Sequence, residues 1–179
     1  AYLERVDPAS YDNVVLLTSE RLKSGAESDA RTILGYLLLR EQTSAQAASP
    51  AILVELSNPD NVSLFDNRRG EVIVSPVIVS HMLARVALRR ELHPVFDELF
   101  SSSGFEIIFR SIKDYCLARG EYAFVDLQQA ADARGEIAIG IRRAGLVHTP
   151  QAGAELNPGR DEHLQLSEND ELIVLTTNA

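Results

Sequence analysis

The chain has 179 residues, 45% of them hydrophobic and 24% charged, enough apolar content for one sizeable core or two small ones without covalent staples. Asp and Glu outnumber Lys and Arg by 26 to 17, and the resulting formal charge of -9 repels a phosphate backbone, which argues against nucleic acid as a partner. The single Cys116 allows no internal disulfide and points to a reducing compartment, and no apolar run has the length of a membrane span or the pattern of a secretion signal.

In chain order, the first residues lack a Met and read as the end of one unit running into a strand, as expected for a piece of a longer protein. NVVLLT (13–18) and AILVEL (51–56) are continuous apolar runs rich in β-branched residues, the pattern of strands covered on both faces in a parallel sheet. Between them, Ser28 or Asp29 is expected to cap a helix whose apolar stripe is Ile33, Leu34, Leu37 and Leu38. GEVIVSP (70–76) offers a third short strand after a helical turn at DNVSLF.

Pro76 suits the first turn of a helix lined by Ile78, Val79, Met82, Leu83 and Val86, and Pro94 that of a second helix, HPVFDELF, which SSSG breaks. Val95, Phe96, Leu99 and Phe100 need cover, supplied either by this chain's own sheet or by another subunit. Arg85, Arg89 and Arg90 have helical spacing and read as a solvated or subunit-facing stripe.

From residue 104 the period changes. FEIIFRS is a strand, FVDLQQAADARG (124–135) a short helix stopped by glycine, EIAIGIRR a strand with Ile137, Ile139 and Ile141 on one face, and ELIVLTT (171–177) a last strand. AELNPGRD and LSEND read as turn-rich joints. The fold class is therefore α/β: a partial Rossmann-like parallel sheet at 1–91, a helical crossover at 92–103 and a small α+β lobe at 104–179.

Catalytic patterns are not visible. Gly135, Gly140 and Gly145 lie before, within and after a strand, whereas a dinucleotide fingerprint places its glycines between a strand and a helix N-terminus. His81, His93, His148 and His163 show neither metal spacing nor a neighbouring nucleophile motif, and Ser102 and Ser103 sit in no nucleophile elbow. Asp97, Glu98, Glu106, Asp114 and Glu121 gather around the junction of the two modules; they are either a solvated acidic face or, for Asp97, Glu98, Glu106 and Asp114, candidate ligands for a hard divalent cation.

The order of these segments carries a resemblance. SYDNVVLLTSE, ESDARTILGYLLLRE, ILVELSNPDN, VSHMLARVALRRELHPVFDELFSSSGFEIIFR and GEIAIGIRRAG, followed by LNP and NDELIVL, together resemble the cytosolic regulatory region of the Castor/Pollux family of ion channels. More broadly they are similar to an RCK (regulator of K+ conductance) domain, here its C-terminal unit. The resemblance implies a Rossmann-like lobe entered at its later strands, a crossover that embraces a neighbouring subunit, and a C-terminal regulatory lobe. It implies no enzyme activity and no obligate cofactor, and it admits calcium without assigning ligand positions. Its implied partners are further copies in a dimer or ring and a transmembrane pore domain of the same longer chain, at the cytoplasmic face of a membrane. On this reading Val95, Phe96, Leu99 and Phe100 form a subunit interface. A soluble nucleotide- or ion-sensing subunit of a separate potassium transporter is the alternative, and a dehydrogenase fragment a third, which lacks its glycine loop.

Overall fold

The computed structural model describes residues 6–19, 21, 24–44, 50–65, 72–101, 104–146, 149 and 151–177. Its backbone pairs the two apolar runs in parallel: β1 (Asn13–Leu16) lies on β2 (Ala51–Leu56) with Asn13 opposite Ala51, and β2 lies on β3 (Val72–Val74). The connection from β1 to β2 is α1 (Gly25–Thr43), long enough for the crossover that parallel pairing requires. These elements fall in one of two units into which the chain divides, Ala1–Arg89 and Arg90–Ala179. Residues 70 and 71 of the expected third strand, and His148, lie outside the described residues.

The start of α1 differs from the sequence expectation. Ser24 is the cap, its Oγ accepting from the Glu27 N–H at 3.2 Å, so Ser28 and Asp29 lie inside the helix and are buried. The helix is also rotated relative to the expected stripe. Its buried residues are Ser28, Asp29, Thr32, Tyr36, Leu39 and Thr43, while Leu34, Leu37 and Leu38 are exposed. Polar side chains can face the sheet here because each has a partner: Thr32 and Thr43 donate to the carbonyls of Ser28 and Leu39. Asp29 accepts from Ser57 N (2.8 Å), Asn58 N (3.0 Å) and Asn61 Nδ2 (2.8 Å), tying the helix to the exit of β2.

Tyr36 and Leu39 pack with Ile52, Val54, Leu56 and Phe65 in the core of this unit, and the Tyr36 and Phe65 rings lie 4.8 Å apart. Each fully buried Leu contributes about 1.5–3 kcal/mol. Burial in β1 and β2 alternates instead of covering both faces as expected: Val15 and Leu17 are exposed because α1 packs on one face only. From β3 the chain enters α2 (Ser75–Leu88), with Pro76 in its first turn as expected.

The second unit begins with α3 (His93–Phe100), whose bounds match HPVFDELF. A four-stranded antiparallel sheet follows, in the order β4 (Glu106–Ser111), β9 (Glu171–Thr176), β6 (Ile137–Arg142), β7 (Ala154–Leu156). A two-stranded ladder pairs β5 (Gly120–Ala123) with β8 (His163–Leu166), and α4 (Phe124–Asp132) packs beside it. Neither β5, β7 nor β8 was expected; AEL of the supposed joint is β7. Phe124, Leu127, Ile141, Leu164, Leu172 and Val174 form the centre of the core.

Ile137, Ile139 and Ile141 do not share a face. A register shift between Ala138 and Gly140 against β9 puts Ala138 and Ile141 in the core and leaves Ile137 58% exposed. Gly140 permits the close approach of β7, since a Cβ there would lie 2.3 Å from the Glu155 carbonyl oxygen. Two carboxylates hold the loops of this unit. Buried Asp170 accepts from Ala144 N (2.9 Å) and Ser167 N (2.8 Å). Buried Glu136 accepts from the Tyr115 hydroxyl and from Arg110 Nε at 3.2 Å, and burial together with this carboxylate pushes the Tyr115 phenol well above its ordinary range. Among the described residues no helix is long and apolar enough to cross a membrane.

Burial opposes ionisation of Asp29, but the donors from Ser57, Asn61 and Asn58 outweigh it and hold the carboxyl below its ordinary value of 3.8. Its stabilising contribution is therefore complete above pH 3.8 and is lost as the pH falls through the lower, folded-state value. Asp29→Ala strands three donors and should cost about 2–4 kcal/mol in urea unfolding. Asp29→Asn should flatten the acid limb of the stability profile, and an unchanged acid limb would refute the assignment.

Candidate subunit interface

Helices α2 and α3 bury none of their residues within the chain. On α3, Pro94 sets the first turn and the chain leaves at Ser101 in an extended conformation. Val95 with Leu99 and Phe96 with Phe100 are pairs four apart, and Phe96 with Leu99 a pair three apart, so the four side chains form two adjacent rows on one side of the helix. Val95 is 49% and Phe100 70% exposed, and the Phe96 and Phe100 rings stack at 6.4 Å. The polar side of α3 is closed by His93 Nδ1 and Asp97 at 2.9 Å, an exposed pair one turn apart.

On α2, Ile78, Val79, Leu83 and Leu88 are all exposed. His81, Arg85 and Arg89 run beside them at i, i+4 and i+8, all three exposed and without an ion pair to a described residue. Each helix thus presents an apolar ridge edged by charge.

The four candidate metal ligands are all exposed: Asp97 and Glu98 on α3, Glu106 at the start of β4, and Asp114 in a 3-10 turn. Among the described residues no group of three or more His, Cys, Asp or Glu side chains is placed to hold a metal ion. Sequence reading missed a carboxylate at the carboxyl ends of the parallel strands. Glu55 accepts from the Ser75 hydroxyl and from Thr18 N and Oγ1 (both 3.0 Å), joining the ends of β1, β2 and β3. The Ser75 hydroxyl is the largest influence on this carboxyl and, with Thr18, holds it below its ordinary value against the opposing effect of burial. A lone Glu within AILVEL gives no signal of its own; Thr18 and Ser75 at the ends of the flanking strands are the only hint. Beside it, Leu16, Leu17, Ser19, Ser28, Arg31, Thr32 and Gly35 line a cavity of about 170 Å³.

No protein-family model matches the chain. Curated relatives do. A protein of Oryza sativa subsp. japonica described as "Probable ion channel POLLUX" is 24% identical over 207 residues, covering 99% of this chain and 21% of the relative. Its counterpart from Arabidopsis thaliana is 25% identical over 208 residues, again covering 99% of this chain and 25% of the relative. "Ion channel CASTOR" of Lotus japonicus is 26% identical over 172 residues, covering 80% of this chain and 20% of the relative. The chain therefore spans about a fifth to a quarter of the length of these relatives. Among solved structures, the human SLO3 gating ring superposes with a TM-score of 0.70 at 14% identity, covering 99% of this chain and 34% of that one, which fixes the fold.

If α3 faces solvent in the lone chain, its apolar residues carry little folding energy. Phe100→Ser should change unfolding free energy by less than about 0.5 kcal/mol. Leu39→Ala in the core should cost about 2–5 kcal/mol. Equal losses would show that α3 is packed in the monomer. Along nearly its whole length the chain is thus similar to the Castor/Pollux ion channels, and its fold is that seen in the human SLO3 gating ring.

Proposed function

We propose that this chain is a cytosolic regulatory unit of a Castor/Pollux-like cation channel, one that couples ligand or ion binding to the opening of a pore carried by the same longer polypeptide. The observation that carries the proposal is the match to ion channels along 99% of the chain. A regulatory unit of this kind needs two things: contacts that join copies, and an arrangement with two states that a ligand binds unequally. Helix α3 supplies the first. Its face of Val95, Phe96, Leu99 and Phe100 joins copies into a dimer or larger ring at the cytoplasmic side of the membrane, and 92–103 act as the crossover between the lobes at 1–91 and 104–179.

The reading is non-enzymatic. It assigns no calcium to Asp97, Glu98, Glu106 or Asp114, which lie exposed without converging.

Sedimentation of the 179-residue chain tests the contact: Phe96→Asp should lower the mass of the assembly by removing the α3 contact, and an unchanged mass would overturn it. Function is tested by grafting this chain in place of the matching segment of a Castor/Pollux channel. Phe96→Asp in the graft should change open probability and leave unitary conductance intact; an open probability indifferent to the substitution would overturn the regulatory role.

A further inference from the structure

Among the described residues, the outermost strand β4 is paired along one edge only. Residues 106–111 form ladder bonds with β9 alone, and no backbone hydrogen bond reaches them from any other described element. This strand is not defended in the way edge strands usually are: it is six residues long, has no proline, and exposes Ile107 (56%) and Phe109 (50%) on the face away from the core. Arg142 lies over the Phe109 ring at 4.8 Å and pairs with Glu171 at 2.9 Å, so the ring is held on that face. Ile108 points the other way, into the core cluster.

We propose that the free edge of β4 pairs antiparallel with β4 of a second copy about a twofold axis at Ile108. The sequence F-E-I-I-F-R selects both the occupant and the register. A twofold axis normal to the sheet keeps each face on its own side, so only residues of like parity can stand opposite. Three registers satisfy this near the middle of the strand. Centred on Ile107, the pairing sets Glu106 opposite Ile108; centred on Phe109, it sets Arg110 opposite Ile108. Both put a charge against an apolar side chain.

Centred on Ile108, every pair is complementary. Glu106 stands opposite the second copy's Arg110 and Arg110 opposite its Glu106, while Ile107 meets its Phe109 on the open face, twice over by symmetry. Opposite charges and apolar partners directly across a ladder stabilise it, and like charges there destabilise it. Arg110 has partners within its own chain, Glu136 among them, and can also reach the neighbour's Glu106 because a guanidinium carries five donors on a planar fork. The pairing continues the four-stranded sheet across the axis and doubles its open apolar band. It uses no residue of α3 and stands apart from the channel reading.

The test is cross-linking in a Cys116→Ser, Phe96→Asp background, which removes the native thiol and the α3 contact. Differently tagged Ile107→Cys and Phe109→Cys chains are mixed, oxidised mildly, and the mixed dimer is compared with each like dimer. Cβ atoms directly across an antiparallel ladder come within about 4.5–5.5 Å, while offset ones stand farther apart, so the mixed 107–109 dimer should exceed either like dimer at least about fivefold. Adding Glu106→Arg to both chains, which opposes like charges across the axis, should lower that yield about threefold or more. Both cysteine sites are exposed, and unchanged urea midpoints would show that the variants fold. Equal yields of like and mixed dimers, or indifference to Glu106→Arg, would overturn the register. A chain that stays monomeric without cross-links would overturn a second copy as occupant, whatever Phe96→Asp does alone.

Discussion

A carboxylate can be buried in a protein only where its oxygens are met by donors, and among the described residues Asp29, Asp170 and Glu136 hold loops in this way. Asp29, fully buried, gathers two backbone N–H groups and an amide from the exit of β2, so the start of α1 and the end of the central strand are fixed together. Asp170 does the same for the turn before the last strand and for Ala144. Glu136 adds a phenol and a guanidinium between β4, the turn at Tyr115 and β6. Each fixes a turn that apolar packing alone would leave free to slide, because apolar contact has no direction and hydrogen bonding does. The cost falls at low pH, where a proton on the Asp29 oxygen competes with its donors.

Around these fixed points the apolar surface is divided unequally. Each unit buries its own core cluster, yet long apolar side chains on α1, α2, α3 and β4 stay exposed. Single exposed Leu or Val residues are ordinary on a folded surface; rows of them along whole helices are not. A chain with 45% hydrophobic content could have enclosed more of it, so the placement is the informative feature. The helices bear their charges at the flanks of the apolar ridge, the pattern of a core and rim at a protein contact.

The elements most legible in the sequence were those with strong punctuation. HPVFDELF was delimited by Pro94 and the serines after Phe100, and AILVEL by an apolar run that includes the β-branched Ile52 and Val54. Burial was read less well, for a physical reason. Apolar periodicity marks the faces of α1 that avoid water, but in this chain the inward face contains Ser28, Asp29 and Thr32 beside Tyr36 and Leu39, their hydrogen bonds making burial tolerable, and Leu34, Leu37 and Leu38 face outward. The bulge in β6 left no trace in the alternation of Ile137, Ile139 and Ile141, because one extra residue shifts a face without altering composition. Strands β7 and β8 are only three and four residues long, too short for a period to declare itself beside Pro158 and Gly159. The apolar excess of Val95, Phe96, Leu99 and Phe100 was visible from spacing alone, whereas the charge symmetry of β4 acquires meaning only once the strand is known to be an edge.

The number of separate contacts decides what assembly such a chain can form. A self-complementary contact about one twofold axis is used up when two copies meet, so α3 alone would stop at a dimer if it pairs with itself. A second self-complementary contact on different residues leaves each dimer with two unsatisfied edges, and copies then add until the angles close a ring or fail to close and extend. Strand β4 has the features of such a contact: an open ladder edge, opposite charges at equal distances from Ile108, and apolar residues between them. A ring built on two contacts of unequal strength can change shape by adjusting the weaker while the stronger holds, which is the mechanical property a pore regulator requires. A six-residue ladder with two ion pairs exposed to salt is the natural candidate for the weaker, and the aromatic and aliphatic face of α3 for the stronger.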